Sequence, residues 1–209
     1  MALAESSAGS TPRLAAPATG TTTPQRRKVV GRIGPWQLVR LLHESELARV
    51  YAARPADRSD ESGAAYVLKV LRNKWWNNAD AIRMQRNAAW AGRTASHVNL
   101  LPVLSAGIKQ PLFVVVFPKL DGEPLSSVLA RRQQLPLTLA LWIARQMAQA
   151  LDALHTQAGM MHADVKPGNV IIADDGHATL IDLGFVQPPG RGAHWTTRPV
   201  CGTLNYIAP

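Results

Sequence analysis

Two short polar loops that flank a predicted β-hairpin constrain this chain more than any other feature of its sequence. The first loop, residues 162–169, reads His-Ala-Asp-Val-Lys-Pro-Gly-Asn, and the second begins thirteen residues after Asn169 with Asp182-Leu183-Gly184. The apolar segments 170–172 and 178–181 between them predict the two strands of the hairpin. Antiparallel strands bring their outer ends together, so an acid, a lysine, an amide and a second acid are predicted on neighbouring loops.

These side chains have the chemistry that phosphoryl transfer from Mg-ATP requires. Asp164 can orient a hydroxyl and accept its proton, and Lys166 can neutralise charge near the moving phosphate. Asn169 and Asp182 offer the amide and carboxylate oxygens that Mg²⁺ prefers. Taken singly, each aspartate could equally be a turn residue, and Lys166 could be an ordinary surface lysine. The interpretation therefore depends on the four residues occurring together at this spacing.

The two loops resemble the catalytic loop and the metal-binding loop of the eukaryotic-type protein kinase family, closest to its bacterial serine/threonine group. The resemblance implies that Asp164 and Lys166 are catalytic and that Asn169 and Asp182 hold Mg²⁺. ATP and Mg²⁺ are the cofactors that it implies. His162 is expected to pack and hydrogen-bond near the metal-binding loop rather than to act as a base.

Upstream segments resemble the nucleotide-binding motifs of the same family. Tyr66-Val67-Leu68-Lys69 resembles the third-strand lysine motif, which implies that Lys69 contacts the α- and β-phosphates. By the same resemblance, Val50 covers the adenine ring, Ile171 lies beneath it, and Val67 is a further cofactor contact.

Two more segments extend the resemblance from about residue 35 to the last residue. Phe117–Gly122 resembles the hinge between the lobes, where the carbonyl of Pro118 and the N–H of Leu120 would face adenine. Gly202–Pro209 resembles the end of the activation segment, where Thr203 would bond to the catalytic acid and lysine.

The implied fold class is α+β. It is a bilobal protein-kinase-like fold, with a five-stranded antiparallel sheet and one helix in the N-lobe and an incomplete, mainly helical C-lobe. Periodicity predicts strands over 36–42, 49–53, 65–71, 101–108 and 112–117, and helices over 78–95, 126–132 and 138–156.

The composition and the resemblance together predict four regions. Residues 1–30 are rich in Ser, Thr, Ala, Pro and Gly and are predicted to be a disordered tail. Residues 31–117 would form the N-lobe, residues 118–122 the hinge, and residues 123–209 the part of the C-lobe that carries the catalytic loop, metal loop and activation segment. With 209 residues the chain is short for a whole kinase domain, so it is expected to be a fragment.

The phosphate-binding loop departs from the family pattern. Counting back from Val50, the three positions that usually carry glycine hold His43, Ser45 and Ala48. Glycine lets backbone N–H groups approach phosphates closely, and side chains at these positions obstruct that approach. Nucleotide affinity or phosphate alignment is therefore expected to be altered.

The helix that follows Lys69 lacks the usual acidic partner of that lysine. Ala88 occupies the expected position, and no Asp or Glu lies between Asp80 and Asp121. A lysine without this partner is less well positioned toward phosphate. An acid of the phosphate loop, Glu44 or Glu46, is the alternative partner.

Ala163 replaces the arginine that many regulated kinases carry before the catalytic aspartate. That arginine receives a phosphate on the activation loop, so control of that kind is not expected here. Thr196, Thr197 and Thr203 remain possible modification sites.

Composition and charge limit the cellular location and the binding partners expected for this protein. The net charge of +9 is scattered along the chain, so no nucleic-acid partner is expected. No apolar run approaches eighteen residues and no secretory signal precedes the strands, so no membrane span is expected and the location is predicted to be cytoplasmic. One cysteine excludes an internal disulfide framework. The expected partner is a protein substrate with Ser or Thr, and the oligomeric state is left open.

Three functions follow from this pattern. The first is ATP-dependent phosphoryl transfer to Ser or Thr hydroxyls of proteins. The alternative is a pseudokinase that serves as a nucleotide-binding or scaffold module, which the missing glycines and the missing helix acid favour. A small-molecule kinase of related fold is the third, and the Gly202–Pro209 segment argues against it because that segment is typical of peptide-substrate enzymes.

Overall fold

The computed structural model describes residues 30–57, 63–109, 112–189 and 202–206. The predicted tail, apart from Val30, lies outside these residues, as do Thr196, Thr197 and residues 207–209 of the predicted activation segment. Six antiparallel strands form one sheet in the order β1-β2-β3-β4-β6-β5. They are β1 (Gly31–Ile33), β2 (Trp36–Glu44), β3 (Ala48–Pro55), β4 (Tyr66–Leu71), β5 (Ser105–Lys109) and β6 (Leu112–Pro118).

The sheet has one strand more than the five predicted. Strand β1 folds back on β2 through a tight turn at Gly34-Pro35, and Ile33 pairs with Trp36. Gly34 adopts a φ of 53°, a left-handed conformation that glycine reaches without steric cost. Strand β5 is shorter than predicted because Leu101 donates its N–H to Leu180 instead of joining the sheet.

The two faces of the sheet bury different sets of side chains. One face packs Leu68 and Val70 of β4 against Val114 and Val116 of β6. On the other face, Val115 packs against Ala89 of helix α1 (Ala79–Thr94). Lys69 pairs directly with Val115 across the strands, so its side chain leaves the sheet on the face that α1 covers.

Helix α1 begins at a side-chain cap and packs closely against its neighbours. The side chain of Asn78 accepts a hydrogen bond from the N–H of Ala81 at 2.9 Å, which satisfies one free donor of the first turn. Near the other end, a Cβ on Gly92 would lie 2.6 Å from Val103 and 3.1 Å from Leu183. Only glycine allows the helix this close to the loop that follows the predicted hairpin.

The second half of the described chain combines helices with a small sheet. Strands β7 (Glu123–Pro124), β8 (Val170–Ile172) and β9 (Ala178–Leu180) pair in that order. Helices α2 (Leu125–Arg132) and α3 (Leu137–Ala158) accompany it, and α3 ends at Gly159 with a φ of 59°. Ile143, Met147, Ala150 and Leu154 of α3 form a core with Val170 and Leu180 of the hairpin.

A buried amide network fixes the β8–β9 hairpin against the rest of the molecule. The Nδ2 of Asn99 donates to the Ala178 carbonyl at 2.7 Å and to the side chain of Gln146 at 2.8 Å. The backbone of Leu180 pairs with the segment that precedes β5, through the Asn99 carbonyl. The hairpin that carries both polar loops is thereby held from two sides. In the part of the chain that the structure describes, no helix is long and apolar enough to cross a bilayer.

Candidate active site

His162 fixes the first polar loop to the end of the hairpin. Its imidazole is 1% exposed. The Nδ1 atom accepts from the N–H of Asp164 at 3.3 Å, so Nε2 carries the proton and donates to the Ile181 carbonyl at 3.1 Å. Burial lowers the pKa of His162, against the opposing effects of the Ile181 bond and of Asp182 and Asp164. The residue is a neutral structural link, as the sequence suggested.

Asp164 is the centre of a hydrogen-bonded cluster. It accepts from the Thr203 hydroxyl at 2.7 Å, from Lys166 at 2.8 Å and from the Asn169 amide at 2.9 Å. Burial raises the pKa of Asp164, but the bonds from Lys166, Thr203 and Asn169 together outweigh it and hold the pKa below its usual value. The carboxylate is therefore ionised at neutral pH and fixed in direction. Lys166 also donates to Thr203 at 2.6 Å, which closes the cluster.

Asn169 links the first loop to the second. Its Nδ2 donates to the backbone carbonyl of Asp164 at 2.8 Å as well as to the carboxylate. Both bonds use the donor end of the amide, which leaves the oxygen as the end that can bind a cation. The backbone carbonyl of Asn169 accepts from Ile181 N at 2.8 Å, directly before Asp182.

Asp182 holds the second loop and pairs with Lys69. It adopts a φ of 61°, and its Oδ1 accepts from the N–H of Gly184 at 3.0 Å and from the ammonium of Lys69. Burial raises the pKa of Asp182, but the charge and hydrogen bond of Lys69 and the Gly184 N–H lower it below its usual value overall. A Cβ on Gly184 would lie 2.9 Å from the Asp182 oxygen, so glycine leaves room for this arrangement.

The proposed adenine contacts divide into two groups. Leu120 and Ile171 line one cavity of about 270 Å³, together with Leu100 and Thr179. Val50 and Val67 lie instead on β3 and β4, on the same sheet face as Lys69, and do not line this cavity. Pro118 ends β6, where it pairs with Tyr66.

The turn at the phosphate-loop position is closed by ion pairs. Glu44 bonds to Arg49 at 3.2 Å and to Arg72 at 3.3 Å, and Glu46 pairs with Lys74. The expectation that Glu44 or Glu46 pairs with Lys69 is therefore wrong. Both acids pair with cations near the turn, namely Arg49 of β3 and Arg72 and Lys74 after β4. Lys69 instead pairs with Asp182 in the other lobe.

Two features of the site were not predicted from the sequence. The first is the direct pairing of Lys69 with Asp182, which joins residues 113 positions apart. The second is the left-handed backbone at Ala163, with a φ of 61°, directly before Asp164. The sequence held one signal for the ion pairs of Glu44 and Glu46. Arg72 and Lys74 directly follow β4, which pairs with β3, the strand that leaves the turn.

Comparison with known proteins assigns the family. A sequence profile described as the protein kinase domain matches residues 38–209. The chain belongs to the protein kinase family. Serine/threonine-protein kinase PknD of Mycobacterium tuberculosis is 34% identical over 184 residues, which are 87% of this chain and 27% of PknD. Serine/threonine-protein kinase PknA of the same organism is 30% identical over 181 residues, 84% of this chain and 41% of PknA.

The fold agrees with this assignment. The crystal structure of the M. tuberculosis PknI kinase domain matches with a TM-score of 0.60 at 27% identity, covering 76% of this chain and 63% of that domain. The prediction of a bilobal α+β kinase fold is thus confirmed. The kinase-family chain spans less than half the length of the two curated relatives, 27% of PknD and 41% of PknA.

Mg²⁺ and ATP, which the family generally uses, suit the donors present here. Asp182 is an ionised carboxylate that already attracts a cation, and Asn169 keeps its amide oxygen for one. Among the described residues, no cluster of three or more His, Cys, Asp or Glu side chains would bind a metal unaided. That composition fits Mg²⁺, which is typically held by one or two protein oxygens together with substrate phosphates.

Proposed function

We propose that this kinase-family chain transfers a phosphoryl group from Mg-ATP to Ser or Thr hydroxyls of protein substrates. The observation that carries the proposal is the cluster in which Lys166, Asn169 and Thr203 all bond to the Asp164 carboxylate. A structural turn aspartate has no need of two side-chain donors from its own loop and a third, Thr203, from a segment 39 residues away. An orienting base beside a cation is what phosphoryl transfer requires.

Asp164 would orient the substrate hydroxyl and accept its proton. Because the pKa of Asp164 is low, its carboxylate is a weak base toward a free hydroxyl. The proton of the substrate hydroxyl therefore moves to Asp164 as the hydroxyl oxygen bonds to the phosphorus of the γ-phosphate. Bound Mg-ATP supplies the phosphoryl group and the ADP leaving group, with charge neutralised by the metal. Lys166 stabilises negative charge beside the accepting oxygen, and Asn169 and Asp182 would hold the metal. Catalysis is then mainly positioning and electrostatic stabilisation.

Lys69 has to change partner for this function. Its ammonium now lies on the Asp182 oxygen that would contact the metal. Asp182 would hold the metal with the oxygen that now accepts from Lys69, and Lys69 would then contact the phosphates instead. Lys69 has a side-chain exposure of only 17%, so its reach is limited to the cleft between the sheet and the second loop.

The substrate class rests on Thr203 and is tested by phosphoamino-acid analysis. The protein is incubated with γ-labelled Mg-ATP and a mixture of protein substrates, hydrolysed in acid, and separated. Label in phosphoserine and phosphothreonine is expected, and label in phosphotyrosine would contradict the Ser/Thr assignment. In the same assay, Asp164→Asn, which lacks the orienting base, should give little label, whereas the matched control Asp175→Asn, at an exposed turn aspartate, should label like the wild type.

The second candidate is a pseudokinase that binds nucleotide without transfer. The closed turn Glu44–Leu47 favours it, because Ser45 and Ala48 bond to each other and not outward. Binding of Mg-ATP by a folded protein that yields no labelled Ser or Thr would support this candidate over phosphoryl transfer.

A further inference from the structure

One row of paired residues crosses the sheet above the site. His43 of β2 pairs with Val50 of β3, and Val50 pairs with Lys69 of β4. Residues directly opposite each other in an antiparallel ladder project from the same face. His43 and Lys69 therefore project from the same face, two strands apart, with backbones about 10 Å from each other.

That face is turned toward the polar loops. The row continues from Lys69 to Val115, which packs against helix α1, and the ammonium of Lys69 reaches Asp182. His43 lies at the far end of the row, beyond the strands that α1 covers, and its side chain is exposed. The His43 side chain therefore leaves the sheet on the face from which Lys69 reaches Asp182.

Two backbone donors of the adjoining turn are already used within it. The N–H of Ser45 donates to the Ala48 carbonyl at 2.9 Å, and the N–H of Ala48 donates to the Ser45 hydroxyl at 3.1 Å. In a glycine-rich loop, donors of this kind would be directed at the nucleotide. Here two of them are used inside the turn.

The acids of the turn are neutralised outside the cleft. Arg49 and Arg72 bond to Glu44, and Arg72 and Lys74 lie against Glu46. Paired in this way, the two carboxylates repel an incoming phosphate less than free acids would. Both acids of the turn are thus paired, and His43, in the strand that leads into the turn, projects from the face that carries Lys69.

We propose that His43 is a phosphate-binding residue, which donates from its imidazole to the nucleotide in place of the backbone donors of a glycine-rich loop. The inference rests on the nucleotide use proposed above. Lys69 and His43 would approach the phosphate chain from two strands of one sheet. Histidine in place of glycine at this position would then exchange a backbone N–H donor for an imidazole donor, and the phosphate contact would be kept.

Isothermal titration calorimetry on four proteins tests this assignment. The wild type, His43→Gln, His43→Gly and the control His155→Gln, an exposed histidine of α3, are titrated with Mg-ATP and with adenosine. Loss of a donor to a charged group is expected to weaken Mg-ATP binding about tenfold in His43→Gly. His43→Gln, which keeps a neutral donor, is expected to lose less, and adenosine binding should be equal in all four proteins.

The outcomes separate the inference from the proposed function. Unchanged or tighter Mg-ATP binding by His43→Gly would overturn the role of His43, because the imidazole would then be inert or an obstacle. Equal losses for Mg-ATP and adenosine would also overturn it, since a phosphate contact cannot affect a nucleoside. A wild type that melts as a folded protein but binds no Mg-ATP would overturn the proposed function together with the inference.

Discussion

The ammonium of Lys69 donates to the Oδ1 of Asp182, so the two residues proposed to engage the phosphates and the metal neutralise each other across the cleft. The one acid of helix α1, Asp80, lies in the first turn and pairs with Arg83, and Asp182 is the acid that bonds to Lys69. The first polar loop is organised independently, around Asp164. The site thus has two charge-balanced halves, joined by the backbone bond from Ile181 to Asn169.

Removal of the lysine should affect stability as well as binding. In Lys69→Met, the pKa of Asp182 should rise because burial is no longer opposed by a cation. The Asp182 side chain is 40% exposed, so the loss in unfolding free energy should lie near 1–2 kcal/mol, roughly between that of exposed and buried pairs. Urea denaturation at pH 7 measures it. Lys119→Met, from the loose pair with Asp121 at 3.8 Å, should change little, and an equal loss in both variants would contradict the account.

Thr203 should be needed for the rate more than for folding. Thr203→Val removes a hydroxyl that joins Asp164 and Lys166, and the pKa of Asp164 should rise because one of its donors is gone. Loss of one preorganised hydrogen bond is expected to lower kcat by about 10–100-fold. Steady-state phosphorylation assays measure this, and Thr203→Ser should restore most of the rate. A Thr203→Val enzyme with wild-type kcat would show that the bridge is not used.

His162 should make the protein acid-sensitive. Its folded pKa lies below the unfolded value, so its contribution to stability is present above about pH 6.5 and is lost as pH falls through the folded pKa. Over that range, the unfolding free energy of the wild type should fall by up to about 1.4 kcal/mol per pH unit relative to His162→Gln. Denaturation curves from pH 7.5 to 5 test the difference. His155→Gln should follow the wild type, and parallel curves for wild type and His162→Gln would refute the assignment.

Gly184 should matter for cation binding. A Cβ there would lie 2.9 Å from the Asp182 oxygen and 3.3 Å from Lys69 Nζ, so Gly184→Ala should push the pair apart. Mg-ATP affinity, measured by calorimetry, is expected to fall about tenfold, since displacement of a charged ligand costs more than about 1 kcal/mol. Gly168→Ala is the control, because its Cβ would meet nothing nearer than Ser126 at 3.9 Å. Matching affinities in the two variants would contradict the prediction.

Local sequence patterns predicted the positions of most helices and strands but not which strands pair with each other. The apolar periodicity of residues 65–71 and 78–95 placed β4 and α1 within a residue or two of their observed bounds. The strand predicted from Leu101 starts four residues later, because the N–H of Leu101 bonds to β9 rather than to β6. Which strand accepts a given N–H is a tertiary choice that periodicity does not record.

The same distinction holds at the site. The spacing of residues 162–184 predicted that Asp164, Lys166, Asn169 and Asp182 meet, because one hairpin joins their loops. It did not reveal the partner of Lys69, or those of Glu44 and Glu46. The pair of Glu44 with Arg49 depends on how a glycine-free turn folds. The other pairs join segments that are distant in sequence, such as Glu46 and Lys74, which are 28 residues apart.

The most direct test is a single-turnover measurement of phosphoryl transfer from Mg-ATP to a protein substrate, with wild type and Asp164→Asn compared at equal nucleotide occupancy. Calorimetry on the same samples first establishes that both bind Mg-ATP. The account predicts rapid labelling by the wild type and a rate lower by about 1,000-fold or more in Asp164→Asn, which removes the orienting base. Equal rates in both proteins, or no transfer from a wild type saturated with Mg-ATP, would contradict it.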